Sequence, residues 1–300
     1  NVGPRAIGMG GAFTAIADDI TAVYWNPGGT ANINKNEAFF NHTSLFADIS
    51  HDFAAFATNL STIGTVGAFV SVLSMDNMKV RTIENPEGTG ELFNYSTVVM
   101  GLNFSRYLTT NFAIGFNVKY INENLWHMSS TGFAIDIGTL YKIPILNELR
   151  IASSVSNFGT KMQLSGRDAT VIYSSGAGNE NLINSSIELD KFDLPLIFRF
   201  GISADVVKTE NYRLTIGVDA IHPNDNSEYL NTGLEYAWNE IVHFRAGYNS
   251  LFEVDSEKGL TLGFGLNYRI FELVKAKIDY AYQDFGRLKS VHYFSVGIVF

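Results

Sequence analysis

The sequence has no cysteine and only 6 prolines in 300 residues. The first absence excludes thiol catalysis, disulfide frameworks and cysteine-ligated zinc together. The second leaves 27 glycines, 23 phenylalanines and 14 tyrosines to set the character of the chain, a balance that favours strands and tight turns over helices. Charge is scarce as well: charged residues make up 17 %, against roughly 25 % in a soluble globular protein, whereas hydrophobic residues reach 46 %. Much of the surface is therefore expected to face something other than water. Lys and Arg number 21 against 30 Asp and Glu, a net charge of −9, so no basic field exists to hold nucleic acid.

The chain opens with Asn1-Val2-Gly3-Pro4 rather than with a basic and then apolar leader, as expected of a mature or trimmed chain. One uncharged run, Phe53 to Met75, is long enough for a membrane helix. Asn59-Leu60-Ser61-Thr62 and Gly64 interrupt it, and it reads as two strands joined by a turn.

The strongest positive signal is alternation with a period of two. Phe112, Ile114, Phe116, Val118 and Tyr120 oppose Ala113, Gly115, Asn117 and Lys119. Leu260, Leu262, Phe264, Leu266 and Tyr268 oppose Thr261, Gly263, Gly265 and Asn267. Such segments recur over 37–47, 51–59, 62–74, 93–107, 110–122, 129–142, 148–158, 195–207, 211–222, 228–238, 241–252, 259–270, 273–284 and 288–300. Alternate connections are short, and the two long ones, 75–92 and 159–194, fall on the same end. Long strands, an even count and this sorting of loops predict an all-β fold, a transmembrane antiparallel β-barrel of about 14 strands in a bacterial outer membrane. The polar faces carry Lys119, Asp136, Arg199, Asp219, Glu235 and Arg245 among many glycines, which suits a wet or plugged lumen. On this reading Gly115→Ser is mild, whereas Arg at Phe116 or Leu262 is costly. Aromatics near strand ends, such as Tyr107, Tyr141, Trp238 and Trp126, read as interfacial girdles. The last strand ends on Phe300, as barrels recognised by the outer-membrane assembly machinery do.

Residues 1–35 do not alternate. They are rich in Gly and Ala, too apolar for a solvated tail, and are expected to form a plug or hatch inside the barrel of residues 36–300. A short helix is expected over Phe13 to Ile20, ended before Trp25-Asn26-Pro27. The run from Gly3-Pro4-Arg5 through Gly8-Met9-Gly10-Gly11 to Asp18-Asp19, followed by Tyr24-Trp25-Asn26-Pro27, resembles the amino-terminal signature of the PorV/PorQ family within the FadL-like outer-membrane group. Where those relatives read Asn-Pro-Ala-Gly, this chain has Asn26-Pro27-Gly28-Gly29. The resemblance implies a fourteen-stranded barrel with an inward-folded hatch that carries Arg5, Gly8, Gly10, Gly11, Asp18, Asp19, Asn26 and Pro27. It also implies one of two roles: docking or shuttling in type IX protein secretion, or passive uptake of hydrophobic small molecules as in FadL-type members.

Other motifs carry less. Gly8-Met9-Gly10-Gly11 lacks the Lys-Ser/Thr of a phosphate loop, and Asp18-Asp19 reads as ion-pairing with Arg5 or wall arginines. The six histidines show no metal-binding spacing, and the acidic clusters near 225 and 255 lack the ligand pattern of an EF-hand. No cofactor or metal is expected. There is no Gly-x-Ser-x-Gly elbow, and of enzyme readings only a hydrolase with Ser and His on a strand face is left beside the preferred non-enzyme one. The long connection 159–194, read as unstructured, offers Ile172, Tyr173, Leu182, Ile183, Ile187 and Leu189 as contacts for a secretion partner or exported cargo, or as groups that fold inward over the lumen.

Overall fold

The computed structural model describes residues 1–174, 182–253 and 256–300. Among them are fourteen long strands: β1 (Glu37–Ser44), β2 (Ile49–Asn59), β3 (Thr65–Met75), β4 (Tyr95–Tyr107), β5 (Phe112–Leu125), β6 (Met128–Ile143), β7 (Leu149–Gly159), β8 (Ile197–Lys208), β9 (Tyr212–Pro223), β10 (Tyr229–Trp238), β11 (Val242–Leu251), β12 (Leu260–Arg269), β13 (Lys275–Asp284) and β14 (Ser290–Val299). Each pairs antiparallel with its sequence neighbour, and β1 pairs with β14 from Glu37 opposite Val299 to Ser44 opposite His292. The ring is closed, so no edge strand is left unpaired. The expected segments all form, with ends displaced by a few residues.

Alternation sorts the residues as the pattern requires. On β5, Phe116, Val118 and Tyr120 point outward and are exposed, whereas Asn117 and Lys119 are buried inside. On β12, Leu262 and Phe264 are outside and Thr261 is inside. An outer surface this apolar on a closed antiparallel cylinder is the lipid-facing surface of a membrane barrel. Tyr107 departs from the expected girdle: it turns inward, and its hydroxyl donates to Asn32 Oδ1 at 2.6 Å. Its register partner Ala113 is fully buried, which places both on the lumenal face.

The connections fall at two ends. At the turn end lie 60–64, 108–111, 144–148, 209–211, 239–241 and 270–274. At the loop end lie 76–94 and 160–196 together with short links, one of them only Trp126 and His127. The connection 160–196 is not structureless as expected. Thr170–Ser174 pairs with Leu182–Ser186, and Met162 bridges Phe192.

Residues 1–34 lie within the ring. Their helices are α1 (Pro4–Gly8) and α2 (Ala22–Trp25), followed by a 3-10 turn over Pro27–Asn32. The helix expected at 13–20 is absent for a physical reason. The Thr14 carbonyl, which would continue the helix, accepts instead from Asn26 Nδ2 at 2.9 Å, so only one turn forms, with the Ile16 and Ala17 amides donating to the Phe13 carbonyl at 3.0 and 2.8 Å, while the Phe13 and Thr14 amides donate to Asp219 Oδ2 on β9 at 2.9 and 2.8 Å. Many of the best-buried apolar residues of the molecule, among them Val2, Ile7, Met9, Phe13, Ile16 and Val23, belong to this segment, and wall residues such as Phe53 and Leu140 are buried with them. The core of this barrel is its own amino terminus.

Candidate functional site

The lumenal segment is seated by backbone contact. Gly217, Gly233 and Gly247 stand opposite one another across β9, β10 and β11. A Cβ on Gly233 would sit 2.2 Å from the Met9 carbonyl oxygen, and one on Gly247 2.3 Å from the Gly10 nitrogen. On the other side, Gly115 and Gly138 pair across β5 and β6. A Cβ on Gly115 would meet the Pro27 oxygen at 2.1 Å, and one on Gly138 the Asn26 Oδ1 at 2.0 Å. This corrects the mild reading of Gly115→Ser: the lumenal glycines are not spacers facing water but the groove in which the segment lies.

The eight residues singled out in the segment are all brought to its boundary with the wall. Arg5 donates to Glu235 on β10 through Nε and Nη2, at 3.0 and 3.2 Å, and to Asp18 and Asp19 through Nη1, at 2.5 and 2.9 Å. Burial opposes the Arg5 charge, but Asp18, Glu235 and Asp19 hold its pKa well above the ordinary value. Burial would likewise raise Asp19, yet Arg5 and Lys277 hold its carboxyl below the usual carboxylate range. The Gly8 and Gly10 carbonyls accept from Thr261 Oγ1 and Asn249 Nδ2, at 3.3 and 2.7 Å. Gly10 and Gly11 have φ of 66° and 79°, and a Cβ on Gly10 would lie 2.6 Å from the Thr232 oxygen. That leaves no room for a phosphate. Asn26 donates to the Thr14 and Thr139 carbonyls, at 2.9 and 3.1 Å, and accepts from Gly28 N at 3.0 Å, which sets the Asn-Pro turn against β6. The Gly28 of this turn has a reason too: a Cβ there would approach the Gly138 carbonyl oxygen to 2.7 Å.

Two cavities flank the segment. On the turn side, about 280 Å³ is bounded by Asp18, Asn32, Lys142, Glu148 and Arg150 and is polar. On the loop side, about 510 Å³ has Tyr24 of the segment among its walls, with Leu73, Val99, Ile121, Met162, Phe192, Leu194 and Tyr293 supplying apolar surface. Its polar groups are largely partnered: His51 Nε2 lies 2.8 Å from Ser71 Oγ, and Thr97 donates to Tyr95, which donates to Glu123 Oε1, each at 2.8 Å. Glu123 and Asp193 are its acidic groups, and no Lys or Arg lines it among the described residues.

The sequence reading missed Met162, Phe192 and Leu194. Met162 and Leu194 are buried with Ile121 and Ala134, so the two ends of the long connection dip into the mouth of the barrel. Of the residues expected to make outside contacts, Ile172, Tyr173, Ile183 and Ile187 are exposed and Leu189 is half-buried. The side chain of Leu182 lies outside the described residues. Among the described residues, the groups that fold inward are therefore Met162 and Leu194 near the ends of the connection, whereas Ser165 and Gly166 pair with the start of β6. Polar contacts join these parts. Asn117 donates to the Val23 carbonyl at 2.7 Å and to Asp136 at 2.8 Å, Asp136 accepts from Asn157 N at 2.7 Å, and Asn157 Nδ2 donates to the Pro195 carbonyl at 2.8 Å.

The class of architecture is shown by solved structures. The toluene transporter TodX of Pseudomonas putida superposes with a TM-score of 0.63 at 12 % identity, covering 100 % of this chain and 97 % of that one. The toluene transporter TbuX of Ralstonia pickettii gives 0.61 at 11 %, covering 100 % and 97 %. A FadL homologue of Pseudomonas aeruginosa gives 0.58 at 10 %, covering 100 % and 98 %. The fold is that of the FadL-like barrels. A family model described as an uncharacterised protein family, UPF0164, matches residues 1–132, that is, the lumenal segment, β1 to β5 and the first residues of β6. No curated protein matches the chain.

Proposed function

We propose that the protein is an outer-membrane channel for passive uptake of neutral hydrophobic small molecules, with residues 1–34 as the plug. The observation that carries this reading is the loop-side cavity, largely apolar and bounded below by the buried segment. A solute of small apolar type finds there the concave hydrocarbon surface that binding requires. Asp193 is already paired with Lys161 at 3.1 Å, and no Lys or Arg among the described lining residues is left to pair an anionic head group, whose unpaired carboxylate in such a site would cost several kcal/mol, on the order of the penalties for buried charge. The structural relatives include toluene transporters, which supports the same direction.

The test is uptake of radiolabelled toluene, with octanoate for comparison, by cells carrying the protein in their outer membrane. Toluene uptake is expected to rise, and Val99→Trp, which narrows the cavity, is expected to reduce the rise while barrel assembly followed by heat-modifiable gel mobility is kept. Uptake unchanged by the protein refutes the reading. The type IX docking role implied by the amino-terminal resemblance is favoured by one observation, the exposed Ile172, Tyr173, Ile183 and Ile187 of the loop-end hairpin and its flank. Replacing 168–188 by a Gly-Ser link decides between them: loss of a co-purifying secretion partner supports docking, and retained solute uptake supports the channel.

A further inference from the structure

On the outward face of the wall, near the loop end, three side chains stand in the order of a nucleophile, a base and the group that orients the base. Asp52 Oδ1 is 2.7 Å from His42 Nδ1, and Nε2 of the same ring is 3.4 Å from Ser44 Oγ. His42 and Asp52 are directly opposed on β1 and β2, and Ser44 lies two residues along β1 on the same face. With the Nδ1 proton donated to the carboxylate, Nε2 is left as the acceptor for the serine hydroxyl. The Ser–His contact is at the long end of the range, as such contacts are before a substrate is bound. All three side chains are open to their surroundings, the His42 and Asp52 side chains being 51 % and 38 % exposed. The cluster is therefore not a buried polar network that only holds strands together.

A donor for a developing oxyanion stands beside it. Ser44 faces His292 of β14 in register, so their Cβ atoms start about 4.5–5.5 Å apart. His292 Nδ1 lies 2.8 Å from Tyr280 Oη. If that hydroxyl donates, the ring carries its proton on Nε2 and has an N–H to offer. Further toward the middle of the wall, Phe40 and Phe294 are exposed on the same outer face. Ser44, at the loop end of β1, thus stands at the depth where hydrocarbon gives way to head groups and where the ester carbonyls of glycerolipids lie.

We propose that Ser44, His42 and Asp52 form a hydrolytic site for ester-linked lipids on the outside of the barrel. Ser44 Oγ attacks the ester carbonyl carbon as its proton passes to His42 Nε2, and Asp52 stabilises the resulting imidazolium. The carbonyl oxygen takes the negative charge, facing His292. Collapse breaks the bond to the alcohol oxygen, which leaves with the proton from His42 and gives a lyso-lipid and an acyl-serine. Water, deprotonated by His42, then attacks the acyl carbon; the bond to Oγ breaks, Oγ regains the proton, and a fatty acid departs. This activity is independent of the lumenal cavity.

The experiment uses the full chain refolded from inclusion bodies, free of host lipases, in vesicles of diacyl phosphatidylglycerol. Release of fatty acid is expected, together with labelling of Ser44 by a fluorophosphonate, located by mass spectrometry. Ser44→Ala and His42→Ala are expected to lose release by at least about 10³-fold, and Asp52→Asn by a comparable factor, as in known triads. Ser50→Ala, a neighbouring hydroxyl, is the control and retains the rate. Absence of release from folded wild type, a rate unchanged in Ser44→Ala, or labelling at another serine overturns the proposal.

Discussion

Arg5 and Glu235 are 230 residues apart in sequence and meet through two hydrogen bonds, of 3.0 and 3.2 Å, inside the barrel. Glu235 is fully buried and also accepts from Arg245 and Arg213, at 2.7 and 3.1 Å. The two partners are therefore not equivalent. Glu235→Ala removes the acceptor shared by three guanidinium groups, leaving Arg5 to Asp18 and Asp19, Arg213 to Glu240 and Arg245 to Asp279, and the loss of several charge-assisted hydrogen bonds at once is expected to cost about 3–5 kcal/mol of barrel stability. Arg5→Ala leaves the carboxylate paired twice over, costs about 1.5–3 kcal/mol and frees the segment. Denaturant titration in vesicles reads the first, and a rise in single-channel conductance reads the second. Equal stability losses would show that the segment is part of the barrel's folding unit and not a separable insert.

The row Gly217, Gly233 and Gly247 gives a second prediction. Gly233→Val cannot coexist with Met9 in place, since its Cβ alone would lie 2.2 Å from the Met9 carbonyl oxygen. The barrel hydrogen bonds do not depend on the segment, so the variant should assemble with the segment displaced. Its conductance should approach that of a variant lacking residues 1–33. Gly297→Ala is the control, because its Cβ would meet nothing nearer than 3.5 Å. A Gly233→Val barrel with wild-type conductance would show that these residues do not occlude the lumen.

Acid should release the segment. The Asp19 carboxyl is held below its usual range when folded, so the stabilisation it provides is present above the free carboxylate pKa, about 4, and is lost as pH falls through the folded value. Conductance is expected to stay low at neutral pH and to rise in acid, below about pH 4. Asp19→Asn should raise the neutral-pH conductance and flatten the acid rise. A wild-type conductance flat down to pH 2 would mean that the Arg5–Asp19 contact does not hold the segment.

The sequence was informative wherever one residue's position in a strand decides its surroundings. Alternation alone placed Phe116, Val118 and Leu262 outside and Asn117 and Thr261 inside, because successive side chains of a strand point to opposite faces. It also marked residues 1–35 as a separate unit, since that stretch lacks the alternation and is too apolar to be solvated. It misjudged Gly115, whose neighbour across the lumen is Pro27, and Tyr107, which turns in to Asn32. It had no means to see Met162 and Leu194 as cavity residues, because both lie in a connection without a period.

What the sequence by itself determined is the strand set and its two faces, both consequences of local stereochemistry and short-range pattern. What only the tertiary structure decided is which groups meet in the lumen: Arg5 with Glu235, Asn26 against Gly138, the ends of the long connection over Tyr24, and, outside, Ser44 with His42 and Asp52. Closure of the ring and strand register set those meetings. A shift of one residue between two strands would have sent Glu235 to the lipid and left Arg5 without its partner.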